Sequence, residues 1–211
     1  MEIVEPGEYA VEKSSYEADQ FGKRPTLRAS IAWLLASKTP AHAAWAHPRL
    51  NPNYKRETRN YFDIGTAAHT LLFQKGAPLK IIEADNYKTK LAKAARAEVY
   101  AMGATPLLPH EWEQVQAMVK AARQQMQALV DAGTIPAMPF QKQDCERALF
   151  WDEGMARCRA SLDGFDTQGD IVSEYKTTGQ TANPQEFQWQ MRRLGYPFRL
   201  AFYRRGLQAL K

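Results

Sequence analysis

The segments RCRASLD (157–163) and DIVSEYKTT (170–178) decide the fold of this chain. Side chains alternate between the faces of a strand, so Glu174 and Lys176 point the same way. Asp163 ends the first strand-like segment, and a hairpin would place it beside Glu174. Mg²⁺ and Mn²⁺ prefer hard oxygen ligands of this kind, and a neighbouring lysine can stabilise charge on a phosphate. The segments therefore predict a hairpin with a candidate metal site; the alternative is a surface hairpin with an ordinary Glu/Lys ion pair.

A change of hydrophobic period marks the region around this hairpin. Period-two patterns predict strands at 146–151, 155–162 and 170–176, and an antiparallel meander is the simplest arrangement. In the second strand one face carries Ala156, Cys158, Ala160 and Leu162, and the other carries Arg157, Arg159, Ser161 and Asp163.

Helical spacing dominates the rest of the chain. It predicts helices at 26–37, 40–47, 61–73, 87–101 and 109–131, a short strand at 79–83, and two C-terminal helices separated at Gly195. Residues 1–25 are polar and predicted to be irregular, and 48–60 a loop. We expect an α+β fold, with a small mixed sheet flanked by helices. A single domain would span 26–211, with a helical part (26–132) and a sheet part (140–211).

Composition limits the class of protein. The 211 residues (24.0 kDa) are 45% hydrophobic and 24% charged, which is typical of a globular chain. The two cysteines, Cys145 and Cys158, exclude a four-cysteine zinc or iron–sulfur site. No signal peptide opens the chain and no apolar run approaches the roughly 20 residues of a membrane span. We expect a cytoplasmic protein with reduced thiols.

The net charge of +5 and pI near 9.2 favour a polyanionic partner. Residues 177–211 contain one acid, Glu186, and six basic residues: Arg192, Arg193, Arg199, Arg204, Arg205 and Lys211. Six basic residues minus one acid give +5, which equals the net charge of the whole chain. A solvated basic helix without a partner is the alternative interpretation.

The motif GTAAH (65–69) places His69 next to the close-packing face of its helix. A lone inward histidine is more often a hydrogen-bonded core residue than a ligand. Both interpretations of His69 stay open on this motif alone.

Four motifs in order resemble the PD-(D/E)xK nuclease superfamily, specifically the RecB-type and RecE-like (exonuclease VIII-type) exonucleases of phages and prophages. They are GTAAH (65–69), Asp163, EYKTT (174–178) and the Gly195 to Tyr203 segment. The segments LRAS (27–30) and SKTPAH (37–42) also look like the start of RecE-like nuclease domains, so the similarity covers about 26–210. It implies a restriction-endonuclease-like core.

The resemblance also implies a site. Asp163, Glu174 and Lys176 would be catalytic. Mg²⁺, or Mn²⁺ in its place, would be held by His69, Asp163, Glu174 and the carbonyl of Tyr175, with Glu146 reaching a second metal through water.

For DNA, the expected contacts are Arg157, Arg159, Arg199 and Tyr203, the last two being i,i+4 neighbours on one helix. The family usually has glutamine at the position of Arg199, and an arginine there can still donate to a phosphate. Relatives usually continue past this helix, so the ending at Lys211 suggests a shortened form.

The implied function is Mg²⁺-dependent exonucleolytic hydrolysis of linear double-stranded DNA, 5′-to-3′ and without sequence preference, in phage-type recombination. The setting would be the cytoplasm of a bacterial or phage-infected cell. A homo-oligomeric ring and a single-strand annealing protein as partner follow from the resemblance only. The alternatives are a catalytically inactive DNA-binding accessory protein and an endonuclease of the same fold.

Overall fold

A computed structural model of the chain describes residues 5–55, 60–141, 145–166 and 171–211. The described residues combine α-helices with a mixed sheet, as the sequence predicts. The strands are β1 (Gly7–Tyr9), β2 (Leu27–Arg28), β3 (Leu79–Ile81), β4 (Thr105–Leu107), β5 (Cys145–Glu153), β6 (Ala156–Asp166) and β7 (Ile171–Ser173). The helices are α1 (Lys13–Ala18), α2 (Ala29–Ser37), α3 (Pro40–Ala46), α4 (Asn60–Phe73), α5 (Lys90–Ala101), α6 (Pro109–Asp131), α7 (Pro184–Arg193) and α8 (Tyr196–Ala209).

The chain divides into two compact units. The first unit contains the described residues within 1–57, 146–162 and 180–211, and the second unit contains those within 58–145 and 163–179. Each unit combines segments that are distant in sequence. Neither therefore coincides with the predicted helical part (26–132) or sheet part (140–211).

The main sheet mixes parallel and antiparallel pairs. Its order is β1-β5-β6-β2, and β7 pairs with β6. In the first unit β1 is antiparallel to β5 and β2 is parallel to β6. In the second unit β7 is antiparallel to the end of β6, and β3 is parallel to β4 in a separate two-stranded sheet. The predicted antiparallel partnership of the last two strands is confirmed, and the parallel strand β2 was not predicted.

The first unit includes residues that were predicted to be irregular. The prediction for 1–25 was wrong, because β1 and α1 fall inside it. Tyr9 and Phe21 place their rings 5.7 and 4.9 Å from Phe150 of β5 in edge-to-face contacts. Burial against the sheet, which depends on residues far along the chain, orders this N-terminal segment.

The core of the second unit is formed by α4 and α6. Ala68 and Leu72 of α4 cluster with Val115 and Val119 of α6, and all four are buried. α6 has the predicted bounds, with Pro109 at its first position. This packing fixes the orientation of α4 and therefore of His69 on it.

One helix end agrees with prediction and one differs. α4 ends at Phe73 as predicted, and Gln74 directly after it takes the left-handed conformation (φ 53°) that is common where helices end. α5 begins at Lys90 instead of 87, because the Thr89 side chain caps it by accepting from the Ala92 N–H. The described part of the chain contains no helix of the length and apolar character that a bilayer crossing requires.

Candidate functional site

The predicted hairpin residues come together in the second unit. β6 pairs with β7 up to Gly164 opposite Ser173, so Asp163 and Glu174 lie one step beyond the last pair. The backbone N–H of Tyr175 donates to Asp163 Oδ2 at 3.0 Å. This bond keeps the Asp163 carboxylate against the segment that follows β7.

Lys176 connects the two carboxylates. Its Nζ lies 3.0 Å from Asp163 Oδ2 and 2.6 Å from Glu174 Oε1. It also donates to the carbonyl oxygen of Tyr175 at 3.0 Å. One ammonium group thus occupies the point where three oxygens converge, and about a fifth of the Lys176 and Asp163 side-chain surface remains exposed.

His69 reaches the same oxygens from α4. Its Nε2 lies 2.9 Å from the Tyr175 carbonyl oxygen and 3.5 Å from Asp163 Oδ2. Its Nδ1 lies 2.8 Å from the Gly65 carbonyl oxygen, one turn earlier in the helix. The ring also meets Phe73 and Tyr175 edge-on, at 5.2 and 5.1 Å between centroids. His69 therefore faces the cluster instead of being a core histidine remote from it.

Small residues in the GTAAH motif let α4 approach this segment. A Cβ built on Gly65 would lie 3.1 Å from the Thr177 hydroxyl oxygen, which is tighter than ordinary packing contacts. Ala67 and Ala68 are fully buried. The spacing of the motif is thus explained by close packing on one side and by His69 on the other.

The electrostatics of the cluster stabilise the ionised form of Asp163. Burial alone would raise the pKa of Asp163, but the hydrogen bond to His69 and the charge of Lys176 outweigh it and lower the pKa to about 2. Burial also raises the pKa of Tyr175, whose hydroxyl therefore stays neutral. The carboxylate of Asp163 is an anionic oxygen donor at any physiological pH.

The chemistry of this donor set fits a hard divalent cation. Carboxylates of Asp163 and Glu174, the Tyr175 carbonyl and an imidazole are ligands that Mg²⁺ and Mn²⁺ accept. The ammonium of Lys176 already holds a positive charge among three of these oxygens, at distances longer than the roughly 2.1 Å of a Mg²⁺–oxygen bond. In the described residues no three His, Cys, Asp or Glu side chains stand ready-arranged around one metal position. Metal binding would therefore need Lys176 to withdraw from the oxygens.

His69 would have to change partners as well. Both of its ring nitrogens face carbonyl oxygens, which only accept hydrogen bonds. A metal ligand instead offers a nitrogen lone pair. The Nε2 contact to the Tyr175 carbonyl would therefore have to be released before His69 could coordinate.

The predicted residue Glu146 belongs to the first unit. It is the second residue of β5, is half-buried and has a left-handed backbone (φ 54°). A non-glycine residue in this conformation is strained, and such strain is common at functional positions. Its proposed contact with a second metal stays a prediction.

The assignment of Arg159 to DNA binding is corrected by its burial. Arg159 is fully buried in the first unit and pairs with Asp19, which is also fully buried. Its guanidinium also donates to the Thr26 side chain and lies 4.9 Å from the Tyr16 ring centroid. A group enclosed in this way cannot reach a phosphate on the surface.

The structure also places Arg157 and the α8 pair. Arg157 makes a two-point contact with Asp152, with N–O distances of 2.6 and 3.1 Å. Arg199 lies over the Tyr196 ring at 5.5 Å, whereas Tyr203 is only 6% exposed. Tyr203 therefore offers no exposed surface beside Arg199, and the DNA contacts expected of Arg157 and Arg199 stay predictions.

Sequence reasoning missed the polar network around Asp19. Asp19 accepts hydrogen bonds from the backbone and side chain of Thr26 and lies 3.5 Å from His47 Nε2 and 3.8 Å from Arg49. The only sequence signal was an arginine between the small residues at 158 and 160, and the N-terminal segment that covers it was not predicted to fold.

Comparisons with known proteins returned no matching family model, no similar curated protein and no similar solved structure.

Proposed function

We propose that this chain is a metal-dependent nuclease with a PD-(D/E)xK core that hydrolyses linear double-stranded DNA from its ends. The observation that carries the proposal is the convergence of Asp163, Glu174, Lys176 and His69 around the Tyr175 carbonyl. His69 comes from a part of the sequence distant from the other three. Two carboxylates, a lysine and an imidazole gathered beside one carbonyl form a set that suits phosphodiester hydrolysis.

Each residue has a chemical role in this proposal. Asp163, Glu174, His69 and the Tyr175 carbonyl would hold Mg²⁺ or Mn²⁺, which would supply Lewis-acid stabilisation of charge on the phosphate. Lys176 carries three donor hydrogens and is the flexible member of the cluster. It would donate to a phosphate oxygen or orient the attacking water while it keeps a contact with Glu174.

Backbone recognition would come from the exposed basic residues of α7 and α8. Arg192, Arg193 and Arg204 are exposed, and within the described part of the chain no carboxylate pairs with them. Arg205 instead pairs with Glu153. Contacts of this kind are independent of base sequence and weaken with salt.

A second function is favoured by one observation. The Lys176 ammonium already compensates both carboxylates without any metal. A catalytically inactive DNA-binding accessory protein could retain such a cluster for stability alone. A 5′-to-3′ polarity, an oligomeric ring and an annealing-protein partner are proposed from the sequence resemblance, in phage-type recombination.

Digestion of DNA tests the activity. Linear double-stranded DNA and the same closed circle are incubated with Mg²⁺, with Mn²⁺ or with EDTA, using wild type and Lys176→Ala. The matched control is Lys120→Ala, an exposed lysine of α6 in the same unit. We expect the linear DNA to be degraded and the closed circle to remain intact. Degradation should require metal, and Lys176→Ala should lower its rate at least about 100-fold, whereas Lys120→Ala should leave the rate unchanged. Labels at the 5′ or 3′ ends report polarity.

Other outcomes have clear meanings. Cleavage of the closed circle would make the protein an endonuclease. Absence of cleavage in both metals, with DNA binding retained, would favour the accessory function.

Thermal melting tests the cation site without relying on activity. Lys176 and a divalent metal compete for the same three oxygens, so removing the lysine should strengthen metal binding. We expect millimolar Mg²⁺ to raise the Tm of Lys176→Ala more than that of wild type, because ligand binding to the native state stabilises it by mass action. Lys120→Ala should behave like wild type. Equal, negligible Mg²⁺ shifts in all three proteins would count against a cation site here.

A further inference from the structure

The helix α7 (Pro184–Arg193) presents an aromatic and basic face that the proposed cleavage cluster does not use. Trp189 is 71% exposed, although tryptophan is normally among the more buried residues. Arg192 and Arg193 follow at i+3 and i+4 and so lie on the same side of the helix. We call Trp189, Arg192 and Arg193 the α7 face.

The ring of Trp189 lies beside a guanidinium group, on a helix whose start is capped. The Arg192 guanidinium carbon lies 5.7 Å from the centre of the Trp189 ring. The helix is fixed at its start by Pro184 and by Asn183, whose side chain accepts hydrogen bonds from two backbone N–H groups. An aromatic ring on a well-capped helix loses little conformational freedom when a ligand stacks on it.

The charge of the α7 face is not compensated locally. Among the described residues no carboxylate forms an ion pair with Arg192 or Arg193. The single acid of the helix, Glu186, lies in its first turn, where it complements the helix dipole. The face therefore offers a flat apolar surface beside two cations.

These properties select the chemistry of the ligand. A partner must bring a flat π-surface together with negative charges a few ångströms away. Single-stranded nucleic acid has both, because its bases are free to stack while its phosphates remain exposed. A duplex hides its base faces, and the acidic side chains of a peptide carry no aromatic ring. A membrane surface would call for several large apolar side chains, whereas within residues 184–194 the exposed large hydrophobic residues are Trp189 and Leu194 alone.

We propose that the α7 face binds single-stranded DNA, with one base stacked on Trp189 and phosphates contacted by Arg192 and Arg193. The choice of DNA as the nucleic acid rests on the proposed function, in which degradation of one strand of a duplex leaves the other single-stranded. The stacking itself rests on the exposure and charge of the α7 face.

Fluorescence anisotropy tests the proposal under conditions without cleavage. A labelled 15-nucleotide thymidine oligomer is titrated with wild type, Trp189→Ala, Trp189→Phe and Trp45→Ala in EDTA. Trp45 is the matched control, because it is 69% exposed in the first unit and no guanidinium lies over its ring among the described residues. An abasic oligomer of equal length supplies the same phosphates without bases.

We expect Trp189→Ala to weaken binding of the thymidine oligomer roughly 5- to 150-fold, the range of one base stack. Trp189→Phe should keep most of the affinity and Trp45→Ala should change it less than twofold. Wild type should bind the abasic oligomer about as weakly as Trp189→Ala binds the thymidine oligomer. Circular dichroism should give the same Tm for the tryptophan variants, since both rings are exposed.

Three results would overturn the proposal. They are equal effects of Trp189→Ala and Trp45→Ala, equal affinity for abasic and thymidine oligomers, and tighter Trp189-dependent binding of a uridine ribo-oligomer, which would assign the face to RNA. Its fate is separable from that of the nuclease. Trp189-dependent binding without any metal-dependent cleavage would retain this inference and reject the proposed enzyme. Metal-dependent cleavage without Trp189-dependent binding would retain the enzyme and reject this inference.

Discussion

The buried pair of Asp19 and Arg159 makes a sharp prediction about stability. Both side chains are fully buried in the first unit. Asp19 lies just after α1 with a left-handed backbone (φ 59°), a conformation that asparagine also tolerates. Asp19→Asn therefore preserves shape and backbone, removes the charge and replaces one accepting oxygen by an amide that donates.

The expected cost follows from what each variant leaves behind. Asp19→Asn leaves the Arg159 cation enclosed with the oxygens of Thr26 and the Tyr16 ring. Removing one member of a buried pair costs about 3–5 kcal/mol. In a chain of this length that corresponds to a Tm lower by roughly 6–20 °C. Arg159→Met should cost less, about 2–4 kcal/mol, because Asp19 retains Thr26 and the partly exposed Arg49.

Urea unfolding followed by tryptophan fluorescence measures these differences. Four of the five tryptophans, at 33, 45, 151 and 189, belong to the first unit, so the signal reports mainly on it. The double variant should lose at least about 1 kcal/mol less than the sum of the single variants, because the two charges are coupled. Additive effects, or single effects below about 1 kcal/mol, would refute the reasoning.

DNA binding by Arg159→Met, measured below its Tm, separates structure from recognition. The slope of log affinity against log salt should equal that of wild type. A shallower slope by about 0.9 would mean that Arg159 contacts a phosphate after all.

Two further predictions concern the first unit. Burial lowers the pKa of His47 below its usual value, so the unfolded state binds a proton more readily there. Urea titrations at several pH values should therefore show the free energy of unfolding falling below about pH 6.5, by up to about 1.4 kcal/mol per pH unit, and His47→Gln should lack this component. A Cβ at Gly206 would lie 2.7 Å from the buried Trp151 ring, so Gly206→Ala should lower the free energy of unfolding by about 1–3 kcal/mol. Gly179 has open space around it, so Gly179→Ala should change that free energy by less than about 0.5 kcal/mol. Equal effects of the two substitutions would contradict this packing.

Short-range sequence patterns predicted the elements whose bounds depend on neighbouring residues. The α6 helix begins at a proline and its apolar spacing continues to its end, so its bounds matched. The break between α7 and α8 falls at Gly195, whose left-handed backbone (φ 69°) glycine adopts at no steric cost because it lacks a Cβ. The juxtaposition of Asp163 with Glu174 followed from hairpin geometry alone. Their metal-binding and catalytic roles remain predictions.

Long-range packing explains the failures. β1 and β2 have three and two residues, too few for a period-two signal, and they become strands by pairing with β5 and β6. The face alternation of β6 placed Arg159 opposite the apolar residues. The assignment of Arg159 to DNA binding assumed that this opposite face meets solvent. In the structure the residues around Asp19 cover it. Nothing within the strand itself distinguishes these two situations.

The two charge clusters differ in ways that bear on function. In the first unit Asp19 and Arg159 are fully enclosed, and the arginine adds contacts to Thr26 and Tyr16. In the second unit the partner of Asp163 is a lysine, and both side chains keep about a fifth of their surface exposed. A lysine is held by rotatable donors on a flexible stem, so it can release its oxygens, whereas an enclosed guanidinium cannot be exchanged without unfolding its surroundings. Ligand exchange is what a metal-dependent site needs, which is why we place the proposed chemistry at Lys176 and assign Arg159 to the stability of the first unit.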